Sequence, residues 1–200
     1  MENSVCLLLA TSLHTAVDLD SIINPDEFND SGLIKDHHIT IVYDESNSIN
    51  KGSILNDVRV SLGSEFDVFN TFMEDSYKFR VNDIMYLDTF NNDDSSYLVL
   101  KLKDNNELFN KLNTIHEYLM SKYNIKSDFS KYSPHVTLAE LLPNEADKYL
   151  SNKTLNKVLN DSKIGFEDLV FSEEIDGKYI KWNLTTHHAL DRYFRETKID

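Results

Sequence analysis

Apolar positions along this chain fall into two kinds of run. SVCLLLATSL (4–13), ITIVY (39–43), SYLVLKLK (96–103) and VTLAELL (136–142) are short and rich in leucine and β-branched residues, which predicts strands with a buried face. NNELFNKLNTIHEYLMSKY (105–123) instead spaces Leu108, Leu112, Ile115 and Leu119 three or four apart, which predicts a helix with a core-facing stripe. Weaker helical patterns cover 64–75 and 145–160, and further strands are expected near 78–90, 166–173 and 178–185. The polar links FNNDDSS (90–96) and EEIDG (173–177) predict hairpins, Asp176-Gly177 being a strong turn signal. The closing ALDRYFRETKID reads as a short helix or a tail.

The order of these elements repeats. In each half a buried strand is followed by a connecting segment and then by a second strand, near 37–43 in the first half and 134–140 in the second. A helix and a hairpin follow each time. Interleaved strands and helices, with hairpins prominent, predict an α+β architecture of mostly antiparallel sheet with flanking helices. No linker or change of composition divides the chain, so residues 1–200 are expected to form one domain.

The second strand of each half opens on the same tripeptide pattern. His38-Ile39-Thr40 lies in KDHHITIVYD, and His135-Val136-Thr137 lies in KYSPHVTLAE. With seven histidines in 200 residues, chance predicts only about 0.4 His-x-Thr matches, and both matches here follow a loop-like stretch (NDSGLIKD, SDFSKYSP) and begin an apolar run. Alternation along a strand puts His38 with Thr40, and His135 with Thr137, on one face. Brought together, the two ledges would surround a small anion with two imidazoles and two hydroxyls.

Composition narrows what that anion can be. The net charge is −14, which argues against a protein that grips long nucleic acid through clustered lysine and arginine. A small anionic ligand remains compatible with it. No apolar run is long enough for a membrane span, and MENSVCLLLATSL carries an acidic residue where a secretory leader would carry positive charge. With a single cysteine, Cys6, in an apolar run, a cytoplasmic protein is expected, with Cys6 buried. Twenty asparagines beside five glycines and three prolines suggest an AT-rich coding source, a phage or a low-GC bacterium; a phage product would work in the host cytoplasm. There is no His-Glu-x-x-His, no cysteine pair and no compact carboxylate–histidine cluster, so neither metal nor cofactor is expected.

On the two His-x-Thr motifs and their spacing, the chain resembles the 2H phosphoesterases. That superfamily includes 2′-5′ RNA ligase-like enzymes, cyclic phosphodiesterases and phage enzymes that destroy cyclic oligonucleotide alarm signals. The resemblance implies a bilobal, pseudo-twofold domain with an active cleft between the lobes and His38, Thr40, His135 and Thr137 as its catalytic residues. It implies a metal-independent phosphodiesterase in which one histidine is the base and the other the acid, with the threonines holding non-bridging oxygens. Which histidine takes which role is open at this point. Relatives often have a basic residue shortly after the second motif, where this chain has Glu140, so a small cyclic or 2′-5′-linked oligonucleotide is favoured over long RNA. Alternatives are a nucleotide-binding sensor without turnover and an enzyme that opens 2′,3′-cyclic phosphates at RNA ends; no ATP-dependent ligase motif is present.

Other residues carry less. Alternation groups Trp182 with Ile180 and Leu184, which predicts a core position, while the resemblance adds base stacking as a second role. Tyr43 and Tyr132 lie near the motifs and are candidates for the same contact. His37 points away from His38 and is expected to pack or face solvent, as are His14 and His116. His187 and His188 follow the last predicted strand with no evident partner.

Overall fold

The predicted runs form strands, and every strand pair among the described residues is antiparallel. The computed structural model describes residues 4–74, 79–126, 131–175 and 178–184. In chain order the elements are β1 (Val5–His14), β2 (Phe28–Leu33), β3 (His38–Asp44), α1 (Ile54–Leu62), α2 (Phe66–Glu74), β4 (Phe79–Arg80) and α3 (Val81–Ile84). They continue with β5 (Met85–Asn91), β6 (Ser96–Leu102), α4 (Glu107–Tyr123), β7 (His135–Leu141), α5 (Asp147–Leu150), α6 (Lys153–Asp161), β8 (Lys163–Ile175) and β9 (Lys178–Asn183).

One sheet runs β4-β8-β1-β3-β7-β6-β5, with β2 added against β7 and β9 against β8. The two motif strands are therefore neighbours at its centre. Outward from them lie β1 and β6, the first strands of the two sequence halves, and then β8 and β5. Each half thus gives its later strand to the first strand of the other, which makes the halves pseudo-twofold related while the sheet stays continuous.

The helices supply the core on one face. Leu108, Leu112, Ile115 and Leu119 of α4 are all buried, with Ile54, Val58 and Leu62 of α1 and Leu155 and Leu159 of α6, against Leu7, Leu9, Ile39, Ile41, Leu98, Leu100 and Val136 of the sheet. The Asn106 side chain accepts the Leu108 N–H at 2.8 Å to start α4, and Asn124 ends it in a left-handed turn (φ 52°). Leu8, Val99 and Val170 are also buried, yet they stand apart from this core. Register places Leu8 beside Thr40 and Val99 beside Thr137, so they share the opposite, open face of the sheet with the motif residues.

Several expectations need correction. The segment NDSGLIKD does not stay a loop: its first part belongs to β2, which pairs with β7 at Phe28–Leu141 and Leu33–Ala139 with a break of register between. Gly32 sits there at φ +57°, a conformation that disrupts alternation and hides the strand from pattern reading. The helix expected at 145–160 is two helices, because the Asn152 side chain accepts the N–H groups of Thr154 and Leu155, both at 3.0 Å, and so begins α6 afresh. The strand expected from 78 is interrupted by the helical turn α3, and α1 was not anticipated. Cys6 is only half-buried, on the open face opposite Tyr43, although burial still pushes its thiol pKa up to about 12. The Asp176-Gly177 turn and the C-terminal segment from 185 lie outside the described residues.

Candidate active site

Both motif strands carry the same irregularity in the same place. In β3, Leu7 pairs with Val42 and Leu8 with Thr40, which leaves Ile41 as an extra residue. In β7, Leu98 pairs with Ala139 and Val99 with Thr137, which leaves Leu138 extra. A bulge of this kind resets which side chains face which way. Ile41 with Val42, and Leu138 with Ala139, are accordingly buried as consecutive pairs. Tyr43, 49% exposed, and Glu140 return to the open face after the bulge.

The two motif strands touch at one register pair, Ile39 with Val136, both fully buried. Continuing that antiparallel pairing by one residue each way sets His38 opposite Thr137 and Thr40 opposite His135. The four predicted side chains therefore form a compact cross on the open face, centred on the pseudo-twofold position. All four are half-buried.

The histidines are held identically. His38 Nδ1 lies 2.8 Å from the Asp36 carbonyl, and His135 Nδ1 lies 2.7 Å from the Ser133 carbonyl, each two residues upstream. A carbonyl can only accept, so Nδ1 carries the hydrogen in both rings. Nε2 of each ring is left with a lone pair when the ring is neutral and an N–H when it is charged. The hydroxyls of Thr40 and Thr137 have no hydrogen-bond partner among the described residues. Two Nε2 atoms and two hydroxyls are what an acid–base phosphoryl site requires.

The two flanks differ. Beside His38, across β1, stands Ala10; beside His135, across β6, stands Lys101. Lys101 Nζ lies 3.4 Å from the Asp88 carboxylate, and the Phe90 ring meets the His135 ring at 4.7 Å between centroids, tilted by 66°. Burial lowers the His135 pKa below the ordinary histidine value; the Ser133 carbonyl works against this, and the charges of His38 and Lys101 add to it. Burial also works against the Lys101 ammonium, but Tyr86 and Asp88 outweigh it and raise its pKa. Lys101, Phe90, Tyr86 and Asp88 were missed from sequence. Alternation in SYLVLKLK already put Tyr97, Val99 and Lys101 on one face; what was lacking was the pairing with β7 that set that face beside His135.

The motif strand β3 is braced from α4. His116 Nδ1 donates to the Ile41 carbonyl at 2.7 Å, and Tyr132 donates to the Thr40 carbonyl at 3.0 Å. Their rings stack at 4.2 Å, 9° from parallel. Tyr132 thus has one ring face covered and its hydroxyl engaged, and burial raises its pKa strongly. In β7 the matching carbonyl, that of Leu138, accepts from the backbone N–H of Ile34 at 2.9 Å.

The remaining candidates are dispersed. Trp182 is paired with Phe171 on β8, its ring 6.0 Å from that of Phe171 and with Lys51 Nζ 3.5 Å above it, on the face away from the motif. Lys181 and Asn183 of the same strand face the open side, and Lys181 pairs with the Asp36 carboxylate next to the first motif. His37 has its Nε2 buried without a hydrogen-bond partner, and burial lowers its pKa. His14 ends β1 opposite Lys163. His187 and His188 lie outside the described residues. Among the described residues no group of three or more His, Cys, Asp or Glu side chains is gathered closely enough to hold a metal ion, and no helix is long and apolar enough to cross a membrane.

No protein-family model and no curated protein matches this chain. Among solved structures, the chain is similar to Kluyveromyces marxianus Usb1, at 11% identity and a TM-score of 0.39 over 92% of this chain and 99% of that one. The same protein with uridine monophosphate gives 11% identity and a TM-score of 0.40 over the same shares.

Proposed function

We propose that the chain is a phosphodiesterase of the 2H type, cleaving small cyclic or 2′-5′/3′-5′-linked oligonucleotides without a metal. The observation that carries this is the matched anchoring of His38 and His135, each giving its Nδ1 hydrogen to a carbonyl two residues upstream, on strands joined at Ile39–Val136. His135 is the base, since burial and two neighbouring positive charges favour its neutral form. Its Nε2 takes the proton of a ribose hydroxyl, whose oxygen bonds to phosphorus as the bond to the leaving oxygen breaks. His38 Nε2 delivers a proton to that oxygen. The product is a cyclic phosphate with His135 charged and His38 neutral, which are the states needed for water to open the ring with the roles reversed. Thr40 and Thr137 donate to the non-bridging oxygens as charge gathers there. If the chain is phage-encoded, removal of a host's cyclic-nucleotide alarm signal is the role that suits a small anionic substrate.

The test is a turnover screen in EDTA against cyclic di- and trinucleotides, 2′-5′ oligoadenylates and 2′,3′-cyclic mononucleotides, read by mass spectrometry. Cleavage of one class is expected, falling about 10²–10⁴-fold in both His38→Ala and His135→Ala. A 5′-phosphate product, or turnover indifferent to either substitution, would contradict the mechanism. Binding without turnover would point to a sensor module.

A further inference from the structure

The open face is lopsided about its pseudo-twofold centre. Small Ala10 and apolar Leu8 flank the first motif, while Lys101 and Val99 hold the matching places beside the second. Beyond Lys101 the edge strand β5 adds Tyr86, paired with Lys101, and Asp88, paired with Val99. Lys101 Nζ lies 6.0 Å from the Tyr86 ring and 5.7 Å from the Phe90 ring, and the Phe90 ring lies against His135. Tyr86 is 40% exposed, a large aromatic surface left uncovered at the end of the sheet. Asp88, through a 3.4 Å contact, and the Tyr86 side chain engage two of the three Nζ hydrogens, so the ammonium keeps one donor for a second anion.

Resting on the phosphodiesterase reading above, we propose that Tyr86, Phe90 and Lys101 seat the nucleoside whose hydroxyl attacks, with its base stacked on Tyr86 and a phosphate of the substrate on Lys101. The attacking hydroxyl must reach His135, so its ribose lies on the second-motif flank. Tyr86 is two strands out from His135, about 10 Å, which is the reach of a ribose with its base stacked on a ring. In a chain of net charge −14, a lysine held inside the cleft marks where an anionic backbone can approach. On the opposite flank Ala10 stands beside His38 and the cation present, Lys181, is already engaged by the Asp36 carboxylate, so the leaving nucleoside is held more loosely. Recognition is therefore directed at the base on the 5′ side of the broken bond.

The experiment measures dissociation constants of His38→Ala protein, which keeps the second flank intact, for 3′-5′ and 2′-5′ ApA and for analogues lacking one adenine. Removing the 5′ adenine should weaken binding about 10-fold, and Tyr86→Leu should weaken intact ApA by a similar factor. The two changes together should cost no more than either alone, because both remove the same contact. Tyr86→Phe, which keeps the ring, should restore affinity, and loss of the 3′ adenine should cost little. Equal effects of the two adenines, independence of Tyr86→Leu from the 5′ adenine, or no binding of either ApA at millimolar concentration would overturn the proposal. Turnover by the wild-type protein alongside such a result would overturn this proposal alone. An intact cycle without turnover would overturn the phosphodiesterase reading and leave Tyr86, Phe90 and Lys101 as the base seat of a binding module.

Discussion

At the scale of single residues, the two histidines are alike in anchoring and unlike in surroundings. Both give Nδ1 to a carbonyl, but only His135 has a lysine on the neighbouring strand and an aromatic ring against it. A base must be neutral to act, and the His135 pKa lies below the ordinary histidine value of about 6.5. The acidic limb of kcat/KM should therefore fall below that value, with activity lost as pH drops and His135 takes up a proton. Lys101→Met removes a positive charge that disfavours imidazolium, so the limb should move to higher pH. Nuclear magnetic resonance titration of the His135 ring should shift in the same direction. An unmoved limb would mean that Lys101 does not tune His135. The threonines are a separate matter. Their hydroxyls have no partner among the described residues, so Thr40→Val and Thr137→Val keep the branched shape and remove one donor each. Each should lower kcat about 10²-fold with melting temperature nearly unchanged.

At the scale of elements, the bulges after the two motifs decide what the cleft contains. Tyr43 and Glu140 reach the open face only because Ile41 and Leu138 are extra residues. Each bulge frees a carbonyl from the ladder, and the two halves satisfy it differently, with the Ile34 backbone at Leu138 but the His116 side chain at Ile41. His116→Phe keeps the stack on Tyr132 and orphans the Ile41 carbonyl. It should cost about 1–3 kcal/mol in denaturant unfolding. It should also lower kcat, since Thr40 stands at that bulge; a loss of stability with kcat intact would show the brace to be structural only. The same bulges mark the limit of sequence reading. Both His-x-Thr ledges and the α4 stripe were legible because their periods are local. α1 was missed, because exposed Val60 and half-buried Leu55 blur the stripe of Ile54, Val58 and Leu62. Strand partners were not legible. Lys101 joins His135, and His116 joins Ile41, through pairings made far along the chain, and no local pattern encodes those.

At the scale of the whole molecule, charge and cleft pull in opposite directions. The chain carries −14, yet the substrate proposed for it is an anion. At low ionic strength the overall field repels such a substrate before it meets the local cations of the cleft. Salt screens the long-range field first, since the Debye length is about 30 Å at 0.01 M and about 8 Å at 0.15 M, while contacts inside the half-buried cleft are screened far less. Raising salt across that range should therefore increase kcat/KM for a small cyclic or linear oligonucleotide, chiefly through faster association. A protein that held a long strand by its phosphates would do the reverse, losing affinity steeply as counterions compete. Stopped-flow association at several salt concentrations separates the two. A rate that rises and then levels off near physiological salt matches an acidic protein with a small cationic seat. A steady fall with a slope of several phosphates would mean that the substrate is an extended nucleic acid held through its phosphates.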